Sequence, residues 1–170
     1  MKKNQIQGII AILGGVLGAL AIFLPYSKMK MKDVDSVTTG YFGKDGFLKN
    51  LSDLEGLTTF VTIMAIIALI AAIALIAYGV MMFIAADKVG GLYKFVVPAL
   101  GAVLLLTGFL AMIDFFAADE VKETRKAFKD TDGASLRVGF GTIMFLIAGL
   151  ATVAGGLVTS FMMKEGAAAK

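Results

Sequence analysis

The chain contains no cysteine, no histidine and no tryptophan among its 170 residues. Without cysteine there is neither a disulfide framework nor a thiolate nucleophile. Without histidine there is no imidazole base, and the usual zinc and haem ligands are missing as well. Any catalysis would have to rest on Asp, Glu, Lys, Ser, Thr or Tyr. We therefore expect no catalytic site, no metal site and no cofactor.

Charged residues are also scarce, at 17% of the chain against 58% hydrophobic residues. A soluble domain normally has about 25% charged residues. Four stretches carry no Asp, Glu, Lys or Arg at all, and they cover residues 4–27, 56–86, 95–113 and 138–163. About 20 apolar residues span a bilayer as a helix, so each stretch qualifies. This distribution of charged residues excludes a soluble domain and a nucleic-acid binder. The net charge of +3 is explained by contact with an anionic lipid surface.

The predicted fold is all-α and transmembrane, an antiparallel four-helix bundle that forms one domain over residues 1–170. A small β-containing loop is expected between helices 1 and 2, and the third helix should continue out of the membrane. The predicted spans are 6–24, 53–86, 92–117 and 136–163, and the extracytoplasmic loops are 25–52 and 118–135.

The first loop shows a pattern typical of a β-strand. Lysine and methionine alternate from Lys28 to Lys32, which indicates one charged and one apolar face. Pro25 ends the first span before this segment begins. A turn is expected at Gly43–Gly46, and the pair Ser52 and Glu55 forms a capping box for the second helix.

The second loop contains several acidic residues in Asp130–Gly133. A calcium loop would need a Glu at the closing position, and none stands there. The interpretation that fits better is a turn, after which Asp132 or Ser135 caps the fourth helix.

Four spans place both termini on the same side of the membrane. We expect the protein in the cell membrane, with both termini in the cytoplasm. Six basic residues lie on the terminal side among 18 positions, and ten lie on the loop side among 52. A raw count of Lys and Arg favours the loops inside, whereas density and net charge favour the termini inside. Lys2 and Lys3 flank the first helix, which supports the second assignment.

Small residues form a face on the first and fourth spans. Such residues let helix backbones approach closely in a membrane. They could pack inside one bundle, or they could contact a second subunit. The positions are Gly8, Ala11, Gly14, Gly15 and Gly18 in span one, and Ala148, Ala151, Thr152, Gly155, Gly156 and Ser160 in span four.

Two polar residues near span ends are candidates for a functional role. Asp114 follows the shortest charge-free stretch, so it is either an anchor at the membrane interface or a proton or cation site. Tyr78 lies inside span two, where its hydroxyl needs a partner. That partner is either a group on a neighbouring helix or a ligand.

The chain resembles small four-span membrane proteins of bacteria and archaea. The residues that carry the resemblance are Leu24-Pro25-Tyr26, the β-type segment ending at Gly40, and Asp45-Gly46-Phe47-Leu48, followed by three closely connected spans. The topology is also similar to that of claudins, which have a long first extracellular loop with strands and a shorter second one. Claudins carry a Trp and a Cys pair in that loop, and this chain has neither. The resemblance therefore implies a topology and transfers no functional residues.

The leading hypothesis is a non-enzymatic membrane protein that acts by assembly. Its partners would be the lipid bilayer and either further copies of itself or another membrane protein. One alternative is an oligomeric channel or small-solute exporter, with a pore lined by the Thr and Ser positions of span four. Another is a protein that protects the cell from a membrane-active toxin.

Overall fold

A computed structural model describes residues 3–31, 34–41, 60–85, 93–117, 122, 126 and 134–162. These residues form four long helices and a small sheet, which confirms the predicted fold class. The elements in chain order are α1 (Lys3–Phe23), β1 (Pro25–Met31), β2 (Val34–Gly40), α2 (Phe60–Ile84), α3 (Tyr93–Ala117), β3 (Ser135–Val138) and α4 (Phe140–Leu157), with a π-helical turn at Val158–Met162.

Within the described ranges, four helices are long and apolar enough to cross a membrane. At 1.5 Å per residue, the 21 residues of α1 reach about 30 Å, which equals the thickness of a hydrocarbon core. The chain is therefore a multi-pass membrane protein. We call the end of the bundle that carries the strands the sheet end.

The three strands form one antiparallel sheet in the order β2-β1-β3. β1 is the central strand, and Lys28 lies opposite Thr38 of β2 and Arg137 of β3. β1 begins at Pro25, and only Leu24 separates it from the end of α1 at Phe23. Because proline has no backbone N–H and a fixed φ, it ends the helix and starts the strand at the sheet end.

The predicted start of the fourth helix was wrong. The sequence placed it at residue 136, but Ser135–Val138 is a strand and α4 begins at Phe140. Gly139 is extended, with φ −76° and ψ 161°, and its N–H donates to Tyr26 O at 2.6 Å. Pairing with β1 gives these backbone groups hydrogen-bond partners that four isolated residues would not have. Ser135 is therefore a strand residue and not the helix cap.

The last turn of the fourth span widens into the π-helical segment. Thr159 Oγ1 donates to Gly155 O at 2.7 Å and to Gly156 O at 3.1 Å. A hydroxyl that bonds to the carbonyls of the preceding turn is a known cause of local helix distortion. Thr159 and Ser160 are both buried in this turn.

Around the bundle, α1 packs against α2 and α4, and α3 packs against α4 and less extensively against α2. The centre is built largely from alanine, which allows the helices to lie close together. The fully buried alanines include Ala11, Ala21, Ala65, Ala68, Ala72, Ala111 and Ala148.

Several predicted features lie outside the described residues. They are the start of the second span (53–59), the capping box Ser52 and Glu55, the turn Gly43–Gly46, the turn Asp130–Gly133 with Asp132, and most of the extension 118–129. Of that extension the structure describes Lys122 and Lys126, and both are helical.

Candidate functional site

Asp114 lies at the sheet end of α3, where it contacts Tyr26 of β1. Tyr26 Oη donates to Asp114 Oδ2 at 3.1 Å and lies 3.3 Å from Ala111 O. This contact ties the first residues of the sheet to the last turn of α3. Asp114 therefore has a partner within the protein, and its role as an anchor at the membrane interface stays a prediction.

A second tyrosine, Tyr41, follows β2 and attaches the end of that strand to α4 and α2. Its hydroxyl lies 2.9 Å from Thr142 Oγ1 of α4. Thr62 Oγ1 of α2 donates to Tyr41 O at 3.0 Å. Tyr41 is 2% exposed, so these bonds form in a site closed to solvent.

The two tyrosine rings are part of one aromatic cluster. Tyr26 and Tyr41 have ring centroids 5.5 Å apart, Tyr26 meets Phe115 edge-on at 6.0 Å, and Tyr41 meets Phe145 edge-on at 5.3 Å. Edge-to-face pairs at these distances are favourable beyond the area they bury. We call Tyr26, Tyr41, Asp114 and Thr142 together the tyrosine clamp. It joins β1 and β2 to α3 and α4.

Burial raises the pKa of Tyr26 well above its ordinary value of 10, and the charge of Asp114 adds to the effect. Burial also raises the pKa of Tyr41, although its bond with Thr142 acts in the opposite direction. Both phenols are therefore protonated at neutral pH. They remain hydrogen-bonding groups of the clamp and are unsuited to act as bases.

Sequence reasoning identified Asp114 but missed Tyr41, Thr62 and Thr142. Tyr26 was considered as part of the Leu24-Pro25-Tyr26 motif and as an aromatic residue of the membrane interface, but no contact with Asp114 was predicted. The local sequence offered no signal for Tyr41, because its partners lie 21 and 101 residues away. Only the folded chain brings these hydroxyls together.

At the opposite end of the bundle, Gln7 of α1 meets Ser160 of the π-helical turn. Gln7 Nε2 donates to Ser160 Oγ at 3.0 Å, and the two residues are 0% and 5% exposed. Ser160, predicted as a packing position, therefore links α1 to the end of the fourth span.

The predicted glycines of span one face neighbouring helices of the same chain. A methyl group at Gly8 would meet Gly79 O at 3.0 Å, and one at Gly15 would meet Ala72 O at 2.6 Å. A methyl group at Gly18 would meet Leu104 Cδ1 of α3 at 2.9 Å. Gly8 and Gly15 therefore allow α1 and α2 to approach backbone to backbone, and Gly18 makes room for a side chain of α3.

Thr152 lies between two glycines of different helices. Its side chain contacts Gly14 of α1 and Gly101 of α3, and its hydroxyl donates to Ala148 O at 2.6 Å. Thr152 is fully buried. It therefore fills the space that Gly14 and Gly101 leave open at the junction of three helices.

Glycines also line the contact between α3 and α4. Methyl groups at Gly101 and Gly108 would collide with α4, and one at Gly149 would collide with α3. A methyl group at Gly156 would lie 3.1 Å from Pro98 Cδ of α3. Each pair is seven residues apart in the sequence. That spacing repeats after two helical turns and was the available signal for the contact, but sequence reasoning passed over Gly79, Gly101, Gly108 and Gly149.

The remaining predicted small residues divide between the inside and the outside. Ala11 and Ala148 are fully buried, and a methyl group at Gly155 would lie 3.0 Å from Ile10. Ala151 is exposed on the outer surface of α4.

Tyr78 is half-buried and packs against Met82 and the alanine-rich core. The structure therefore places it among helix-packing residues, remote from the tyrosine clamp. Among the residues that the structure describes, no three acidic side chains are grouped so as to hold a metal ion.

No protein-family model, no curated protein and no solved structure matches the chain. The similarity to claudin topology stays a prediction, and the function has to be argued from the geometry.

Proposed function

We propose that this chain is a non-enzymatic integral membrane protein that acts by assembly within the membrane. It associates with further copies of itself or with another membrane protein through the outer face of α4. The observation that carries the proposal is a stripe of two exposed alanines between larger apolar residues on that face.

The stripe consists of Ile147, Ala151, Ala154 and Val158, spaced four, three and four residues apart. All four side chains are exposed. This spacing puts them on one side of the helix, and the two alanines form a shallow depression that admits a second helix. The inner small residues of α4 already contact α1 and α3, so this outer stripe is the small-residue surface of α4 that we assign to a partner.

The hydrogen bonds of the interior polar groups favour assembly as the function, rather than transport of a solute through one bundle. Thr107 Oγ1 donates to Val103 O at 2.9 Å, and Thr152 and Thr159 donate to carbonyls of their own helix. These hydroxyls are used within their helices. Thr142, Thr152, Thr159 and Ser160 are also buried within the bundle, so they would not line a pore between subunits.

The proposed location is the membrane of a cell, with the termini in the cytoplasm and the sheet outside. The chain has no cysteine, so single cysteines can be introduced at Lys44 and Lys88 and labelled with an impermeant maleimide on intact cells. Labelling at position 44 alone is the expected result. Labelling at position 88 alone would show that the termini lie outside, which is the opposite of the proposed orientation.

The assembly proposal can be tested with one substitution and a matched control. Ala151→Leu fills the depression on α4, whereas Ala77→Leu places the same extra atoms on the exposed face of α2. Subunit number is measured in lipid nanodiscs by photobleaching or mass measurement. We expect an oligomer for the wild type and for Ala77→Leu, and a shift toward monomer for Ala151→Leu.

A monomeric wild type with no co-purifying membrane protein would contradict the proposal. Equal effects of both substitutions would show that α4 is not the contact surface. Ion or solute flux in proteoliposomes that survives in the monomeric form would instead favour a transport activity.

A further inference from the structure

The sheet has one face on which positive charge is concentrated. Lys28 and Lys30 alternate along β1 and therefore point to the same side. Arg137 of β3 is the direct cross-strand partner of Lys28. All three side chains are exposed. We call these three residues the cationic face.

The positive charges of the cationic face are not balanced by the described side chains beside them. Among the described side chains, the direct cross-strand neighbours on that face are Thr38 of β2, opposite Lys28, and Ser135 of β3, opposite Lys30. Like charges directly opposite each other in a sheet repel. An anion held between Lys28 and Arg137 would remove this repulsion.

The cationic face lies close to the level where the helices leave the membrane. Arg137 precedes the first residue of α4, Phe140, by three positions, and Lys28 follows the last residue of α1, Phe23, by five. At about 3.3 Å per residue, these backbones lie within roughly 10 and 17 Å of the helix ends. Phe23 and Phe140 are exposed aromatic residues, as expected at the membrane interface.

We propose that the cationic face binds the phosphate headgroups of anionic phospholipids on the sheet side of the bilayer. Arg137 offers a planar fork of N–H donors that suits two phosphate oxygens, and Lys28 and Lys30 add compact positive charges. The long lysine side chains can bend back toward the headgroups. The proposal rests on the four-span fold and not on subunit assembly.

The test uses the full chain in nanodiscs of phosphatidylcholine that contain an increasing fraction of phosphatidylglycerol. Lipid retained by the released protein is measured by native mass spectrometry. The variant Lys28→Gln/Lys30→Gln/Arg137→Gln is compared with Lys122→Gln/Lys126→Gln. The control removes two exposed lysines that are helical and lie between α3 and β3 in the chain. Size-exclusion chromatography and circular dichroism verify that each variant is folded.

We expect the wild type and the control to retain phosphatidylglycerol in preference to phosphatidylcholine. In the triple variant that preference should be reduced by about fivefold for each of the three basic residues removed. Retention that falls equally in both variants would overturn the proposal, because the effect would then be one of general charge.

Two competition experiments separate the other anions. Inorganic phosphate that displaces phosphatidylglycerol at millimolar concentration would indicate a site for free phosphate and not for a lipid. An acidic peptide, poly-glutamate, that binds the wild type in pure phosphatidylcholine but not the triple variant would identify the face as a peptide surface and would equally overturn the lipid assignment.

Discussion

Tyr26 of β1 and Asp114 of α3 are joined by a hydrogen bond of 3.1 Å between Tyr26 Oη and Asp114 Oδ2, although 88 residues separate them in the chain. The sheet is therefore fastened to the third helix and does not depend only on the segment that follows α1. This contact makes the sheet end a single packed unit of strands and helices.

The first prediction concerns this pair. Tyr26→Phe keeps the ring in the aromatic cluster but removes the donor, and Asp114→Ala removes the acceptor. Each substitution should lower the free energy of unfolding by about 1 to 2 kcal/mol. In a double-mutant cycle the two effects should fall well short of additive, because both delete the same bond. Thermal unfolding in detergent is the measurement. Additive effects would show that the pair is not coupled.

The second prediction concerns pH. The raised pKa values of Tyr26 and Tyr41 mean that the folded state holds both protons more tightly than the unfolded state. The resulting stability is fully present below about pH 10 and is lost as the pH rises through the raised values. Absorbance at 295 nm should show part of the tyrosine signal titrating only above pH 10.

Matched variants assign that signal. Tyr26→Phe and Tyr41→Phe should each remove part of the late absorbance change and make the alkaline loss of stability smaller. A wild type in which every tyrosine titrates together near pH 10 in the folded state would contradict the buried clamp.

The third prediction concerns the helix junction at Thr152. Gly14→Ala should destabilise the bundle by about 1 to 3 kcal/mol, because the added methyl collides with the threonine side chain. Thr152→Ala in the same chain should restore most of the loss by making room. Failure of this rescue would mean that the collision lies elsewhere.

Glycines in the same helices provide the comparison. At Gly149 the added methyl would meet the backbone of Leu105, which cannot move aside, so Gly149→Ala should be more damaging than Gly14→Ala. At Gly155 it would meet only the side chain of Ile10, and Gly155→Ala should be the mildest of the three. Equal melting temperatures for all three variants would contradict the close helix contacts described at these glycines.

The fourth prediction concerns the end of the bundle opposite the sheet. Ser160→Ala deletes the hydroxyl that accepts from Gln7 Nε2 in a buried site. The cost should be about 1 to 3 kcal/mol, because desolvation of the amide is no longer offset by this bond. Adding Gln7→Met should recover part of the stability, since the amide itself is then gone. A double variant less stable than Ser160→Ala would contradict this account.

Much of the architecture followed from local patterns. Four charge-free stretches predict four membrane helices, because a charge is costly in hydrocarbon and a helix satisfies its own backbone. The alternation from Lys28 to Lys32 predicts a strand, because successive strand residues face opposite sides. Pro25 separates the two types of structure.

The errors and omissions involve partners that are remote in the sequence. Residues 136–138 were assigned to a helix, and Ser135 to its cap, because a four-residue strand carries almost no periodic signal. The pairing of this strand with β1 exists only in the folded chain. Tyr41 was missed because its partners lie 21 and 101 residues away in the chain. The small residues of span four were recognised as a group, but the sequence could not show that Thr152 faces inward while Ala151 faces outward.

The sequence by itself therefore determined that this is a four-span membrane protein with a strand-forming first loop, because charge, hydropathy and alternation act over a few neighbouring residues. The tertiary structure decided which faces of the helices are used internally, where Asp114 finds its partner, and that three cations gather on one face of the sheet. Those properties depend on contacts between residues tens of positions apart, and only packing brings such residues together.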